Sequence, residues 1–190
     1  MKHLKMLVVI AIAATALMAI GATTASATTL ENNGVKQTGA VEFPISLEGS
    51  LKIERTDHTF ANTCTVSNVV GKTTVFTGTA VSGPISTLTF STCTTEKVVV
   101  DAAGNLSIEN ISGTTNGTVK SSGAKVTVPS PFGALTCETG SGNDIGTFTG
   151  KASGSGTMDI KAVLNCGFLA PSAIWEGSYT VTKGPNGVTA

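Results

Sequence analysis

The chain is expected to be all-β, an antiparallel sandwich or barrel, and three observations point there. Past residue 27 there is no helical period: Thr, Ser, Gly and Val dominate, while Leu, Glu, Lys and Arg are scarce. β-Branched residues fit a pleated surface, and Gly and Asn permit tight turns. Two segments alternate with period two. In 158–166, Met158, Ile160, Ala162, Leu164 and Cys166 share one face against Asp159, Lys161 and Asn165. In 174–182, Trp175, Tyr179 and Val181 oppose Glu176, Ser178 and Thr180. Finally, turn residues recur at short, regular intervals, as antiparallel all-β folds require.

Read in order, the expected strands are 40–47, 49–55, 73–82, 85–92, 97–101, 105–111, 116–121, 124–129, 145–152, 158–166 and 174–182. "SGP" (82–84), "AAGN" (102–105), "SSG" (121–123) and "GSGN" (140–143) separate them. The polar segment 28–39 reads as a flexible leader, and 183–190 as a frayed end. No linker divides 40–190, which reads as a single β domain.

Residues 1–27 read as a cleaved signal peptide. Lys2 and Lys5 precede the apolar stretch 7–20, and "ASA" (25–27) supplies small residues for the peptidase. A stretch of fourteen residues is too short for a membrane span, which needs about 20, and no second apolar run of that length follows. Removing residues 1–27 leaves 163 residues and shifts the net charge from 0 to −2. So few charges give no electrostatic hold on nucleic acid or on an anionic membrane. The expectation is a secreted, extracellular chain with no membrane insertion once mature.

Cys64, Cys93, Cys137 and Cys166 all lie beyond the signal. An even cysteine count in an exported chain reads as disulfides. A zinc site would place ligands two to four residues apart, whereas the closest pair here is 29 apart. Each frame of 29 encloses the same core, Phe-Thr-Gly-x-Ala, at Phe76–Ala80 and Phe148–Ala152. The frames read either as duplicated halves, 40–112 and 113–190, or as coincidence in a Thr/Gly/Ser-rich chain. Four cysteines in two equal frames favour duplication. Local pairing, Cys64–Cys93 with Cys137–Cys166, is preferred because an ancestral unit closes its own pair; Cys64–Cys137 with Cys93–Cys166 is equally symmetric. In a strand, Phe76, Gly78 and Ala80 share one face, as do Phe148, Gly150 and Ala152. The motif therefore reads as a core-packing element. Cys93 falls out of phase with Leu88 and Phe90, so a bulge is expected between Phe90 and Cys93.

No catalytic set emerges. His58 is the one histidine beyond the signal, and Asp57 beside it points to the opposite face of a strand. Gly-x-Ser-x-Gly, phosphate-loop and calcium-loop patterns are absent. "GSGNDIG" (140–146) reads as a plain turn rather than a cation site. Glu54, Asp57, Glu109, Asp144, Asp159 and Glu176 could supply a carboxylate pair, yet their spacing favours none. Trp175 and Tyr179 lie four apart on one strand face, about 13 Å by strand rise. They are the candidate ligand-binding residues, as a sugar platform or a pocket wall, against the commoner fate of core packing. No cofactor or metal ligand set is read.

"ISGTTNGTVKSSGAKVTVPSPFGALTC" (111–137) with "MDIKAVLNCGF" (158–168) resembles a group of uncharacterised secreted β-rich proteins of soil actinobacteria. That resemblance implies export and no known activity. In its signal peptide, Thr/Ser/Gly-rich strands and few charges, the chain is also similar in style to the secreted protein activator of alkane oxidation. That likeness implies a surface role near hydrophobic substrates, with no catalytic residues to transfer. The functional expectation is a secreted non-enzymatic β protein with a cell-surface, matrix or interaction role. The alternatives are an extracellular binding module for carbohydrate or an apolar small molecule, and a carboxylate-dependent hydrolase.

Overall fold

The computed structural model describes residues 28–74, 78–95, 97–131, 133–167 and 172–189. They form strands throughout: β1 (Thr29–Asn32), β2 (Val35–Lys36), β3 (Glu42–Arg55), β4 (Ala61–Lys72), β5 (Ala80–Cys93), β6 (Val99–Ala102) and β7 (Asn105–Asn110), followed by β8 (Gly117–Ser122), β9 (Lys125–Val128), β10 (Leu135–Thr139), β11 (Asn143–Thr149), β12 (Thr157–Asn165), β13 (Ala173–Val181) and β14 (Gly187–Thr189).

Eight of them close an antiparallel barrel in the order β3-β4-β5-β7-β8-β11-β12-β13 and back to β3. The β11–β12 ladder, Gly146↔Ile160 through Thr149↔Thr157, joins two of its neighbours. Of the two expected architectures, barrel is the one found. The order follows the chain, so ring neighbours are sequence neighbours apart from the short branches and the closing β13–β3 pair. The branches β6, β9 and β10 pair with one another and with the end of β12, extending one end of the barrel.

The alternation read from 158–166 and 174–182 is the barrel's inside–outside alternation. Met158, Ile160, Ala162, Leu164, Trp175, Tyr179 and Val181 are buried. Asp159, Lys161, Asn165 and Glu176 are exposed. Interior residues of the other strands, including Ile45, Val69, Phe90, Ile108 and Val119, join the same core.

Both disulfides are local, Cys64–Cys93 and Cys137–Cys166, each with Cα atoms 3.9 Å apart. Cys64 and Cys93 are ladder partners on β4 and β5, and the second pair ties β10 to the residue after β12. The bulge expected between Phe90 and Cys93 does not form, since the ladder passes from Val66↔Ser91 to Cys64↔Cys93 without a register shift; the phase changes on both strands instead. Thr92 takes φ 53°, Ser91 and Thr92 both face out, and on β4 Thr65 and Val66 do the same. Each strand holds an extra outward residue, so the pairing count stays in step. Both Cys64 to Cys137 and Cys93 to Cys166 are steps of 73. The same step carries β3, β5 and β7 onto β8, β12 and β13, four places round the ring, and β4 onto β10 and the start of β11. The two disulfides therefore sit on opposite walls, and the 112/113 boundary falls between β7 and β8.

Several expectations are corrected. Residues 28–39 are not a loose leader, nor is 183–190 simply frayed. β1 pairs with β14 (Leu30↔Val188) and with β2 in a three-stranded sheet. The burial of Leu30 and Val188 repays their ordering. Asn33 and Gly34 take φ of 51° and 77°, the pair of left-handed residues that a two-residue hairpin turn requires. Strand β4 was not anticipated, because Asn62 and Ser67 point inward and are buried, breaking the apolar alternation. β10 was missed for a related reason: Thr139 is its third inward residue.

The repeated motif divides. Phe76 and Thr77 lie outside the described residues. Gly78 is exposed at φ 104°, and the strand starts only at Ala80, so 73–82 is not one strand. In the second copy Phe148 is buried on β11, as expected. Gly150 follows that strand, with Thr115 O too close for any Cβ. Ala152 is exposed rather than inward, because β11 has ended and the chain is turning.

Candidate functional site

Trp175 and Tyr179 project from β13 into the barrel, 7% and 2% exposed. Rings so buried offer no platform for sugars, which corrects that use of the pair. Trp175 meets Phe90 of β5 edge-on, with centroids 5.3 Å apart and planes at 80°, an arrangement the ring quadrupoles favour. The Tyr179 hydroxyl donates to Ser67 Oγ at 3.3 Å. Burial pushes the phenol up to about 12, while its hydrogen bond to Ser67 first, and then the polar influence of the neighbouring indole N–H, draw it back. Trp175 Nε1 is buried and reaches no acceptor in hydrogen-bonding geometry.

These rings line a cavity of about 30 Å³ at the barrel's centre, together with Leu88, Ser121, Met158 and Ile160. That is room for a water or two, so the interior is a packed core with a small void rather than an open calyx. Ser121 Oγ lies 3.4 Å from Thr139 Oγ1. Thr139 Oγ1 accepts the Ala124 N–H at 3.2 Å, where β8 bends into β9.

Among the described residues the barrel wall is interrupted beside β5. β5 pairs with β7 only over Ala80–Pro84, and β6 pairs with β9. No ladder joins the remainder of β5 to β6 among the described residues. A gap of about 250 Å³ lies between them, lined by Leu88, Phe90, Val98 and Val100 among others. At the disulfide end, Phe60, Lys97, Val99, Pro129, Pro131 and Ala134 help line an open groove of about 700 Å³.

The candidate acids lie on the outside and are engaged there. Glu54 Oε2 meets Lys52 Nζ at 2.7 Å and its Oε1 meets His58 Nδ1 at 3.0 Å. Those hydrogen bonds, Lys52 first, hold Glu54 below the usual carboxylate range. Asp57 turns away from His58: it accepts from Thr59 and pairs with Arg55 at 2.7 Å. Its pKa is lowered chiefly by the Thr59 hydrogen bonds. Lys120 is shared between Glu109 at 2.8 Å and Asp144 at 3.9 Å. Glu109 above all raises the Lys120 pKa. Asp159 accepts from Ser178 Oγ at 2.6 Å, and Glu176 stands in register between Lys161 and Lys52. Adjacent strands thus alternate charge across the outer surface. Among the described residues, no group of three or more His, Cys, Asp or Glu is placed to hold a metal.

Sequence reasoning found Trp175 and Tyr179 but missed Ser67, Leu88, Phe90 and Ser121 as their company. Leu88 and Phe90 carried the right signal, an inward phase on β5. Ser67 and Ser121 carried none, since a serine on an apolar face reads as a break in the pattern. No family model, curated protein or solved structure matches the chain.

Proposed function

We propose that this chain is exported by its first 27 residues and acts outside the cell as a non-enzymatic barrel with a surface, matrix or interaction role. The observation that carries the reading is the contrast between the outer acids and the groove at the disulfide end. The acids are taken up by cations and hydroxyls along the ladders. The groove, in the size range of ligand sites, is walled by Phe60, Val99 and two prolines with Lys97 at its side. Two disulfides support an oxidising destination. Charged residues face out and apolar ones in, the reverse of a lipid-embedded barrel, which supports a mature chain surrounded by water. The mixture of surface charges supports a partner other than nucleic acid. The four-place step round the ring supports an origin by duplication of a four-stranded unit.

Incubating the 28–190 protein with insoluble envelope material from its producing cells tests this role. Co-sedimentation is expected, without release of soluble sugar or peptide, and Val99→Asp should weaken it. Release of product that grows with time would contradict a non-enzymatic role.

A further inference from the structure

The centre of the barrel holds an unmet chemical demand. A buried indole N–H without an acceptor costs on the order of 1–3 kcal/mol, and native proteins leave few such groups. Trp175 Nε1 is such a donor, and its ring lines the central cavity. The lining around it is otherwise almost wholly apolar, with Ser121 and Tyr179 as its hydroxyl-bearing members. The Tyr179 proton is directed to Ser67.

The cavity also has an approach. Leu88 lines both the cavity and the gap between β5 and β6. Phe90 lines that gap and touches Trp175. Leu88 and Phe90 therefore lie between the gap and the indole, and among the described residues no ladder joins β5 to β6 there. Met158, on the cavity wall, is unbranched and adaptable.

We infer that the barrel interior is a binding site for a small, uncharged, largely apolar molecule with one hydrogen-bond acceptor, admitted through the β5–β6 gap and held by the Trp175 indole N–H. A carbonyl suits the donor, and charge is excluded by the apolar walls. At rest the cavity, about 30 Å³, is smaller than such a ligand, so entry requires Leu88 and Met158 to move aside. This site goes beyond the surface role, and either can fail while the other stands.

Cyclopentanone is the probe, with cyclopentane as its counterpart lacking an acceptor. The mature, disulfide-bonded protein is titrated with each, followed by calorimetry and by emission of Trp175, the sole tryptophan. Saturable binding of both is expected, tighter for the ketone. Trp175→Phe should weaken the ketone roughly three- to tenfold, the equivalent of one neutral hydrogen bond, and leave cyclopentane within twofold. Leu88→Ala enlarges the cavity and should tighten both. Ala124→Leu, which adds bulk at the cavity wall, should abolish both. Absence of saturable binding in both the native protein and a folded Leu88→Ala variant would overturn the inference. So would equal losses of ketone and hydrocarbon in Trp175→Phe, because the donor would then have no role.

Discussion

Phe90 and Trp175 touch edge-to-face at 5.3 Å although β5 and β13 are three places apart in the ring. The contact spans the barrel interior, so it reports on closure as well as on local packing. Phe90→Ala should cost about 3–5 kcal/mol, the range for large core truncations. In a double-mutant cycle, Phe90→Leu with Trp175→Phe should show about 0.5–1.5 kcal/mol of coupling. Denaturant midpoints measured on the four proteins check both figures.

Phe148 lies over Gly156: a Cβ built on Gly156 would stand 2.6 Å from the far carbon of that ring. Gly156→Val is therefore expected to destabilise by forcing the ring or the backbone aside, by about 1–3 kcal/mol. Phe148→Ala should cost about 3–5 kcal/mol. Ala152→Ser, on an exposed position, should change the thermal midpoint little. An unchanged midpoint in Phe148→Ala would remove the packing account of the motif.

These particulars show how far the sequence could be read. Where inward residues are apolar, as from Met158 to Leu164 and from Trp175 to Val181, the strand, its faces and its bounds were legible to within a residue or so. Where polar residues point inward, as Asn62, Ser67 and Thr139 do, a burial-based reading sees no strand, and β4 was lost. The terminal sheet escaped notice because its partners, Leu30 and Val188, are remote in sequence and each sits alone among polar neighbours. Pairing of the cysteines was open between two symmetric schemes until the ring placed Cys64 beside Cys93. The rings of Trp175 and Tyr179 were found, but their use as an exposed platform depended on which side of the wall they faced.

Closing β1 against β14 buries Leu30 and Val188 and employs Asn110, whose Nδ2 donates to Val188 O at 3.0 Å. Deleting residues 187–190 should therefore destabilise the domain and unprotect β1 first. Hydrogen exchange at Leu30, compared between the full and truncated proteins, is the readout. Equal protection in both would show that β1 is held without β14.

Each disulfide closes a loop of about 30 residues, which should contribute roughly 3–4 kcal/mol on the chain-entropy model. Cys64→Ser with Cys93→Ser should lower the midpoint accordingly, as should the Cys137 and Cys166 pair. Non-reducing peptide mapping should return Cys64 with Cys93 and Cys137 with Cys166. A peptide joining the two frames would refute the arrangement.

Tyr179, the one tyrosine in the chain, gives a pH dependence. Burial raises its phenol to about 12 from an ordinary value of about 10. Between those values the unfolded chain releases the proton while the folded chain keeps it. The stability linked to this group is thus fully present below about pH 10 and is lost as pH rises toward about 12, up to about 3 kcal/mol in all. Tyr179→Phe should flatten that alkaline decline. Phenolate absorbance of the native protein should titrate only with unfolding; a free titration near 10 would place the ring in water.

Collisional quenching of Trp175 emission by acrylamide tests most directly the central claim, a closed barrel with its tryptophan inside. The chain has a single tryptophan, so the signal has one source. The account predicts a blue-shifted emission, weakly quenched in the native protein and strongly quenched after unfolding in denaturant and reductant. A native emission already red-shifted and quenched as readily as in the unfolded chain would put Trp175 outside and contradict the closed barrel.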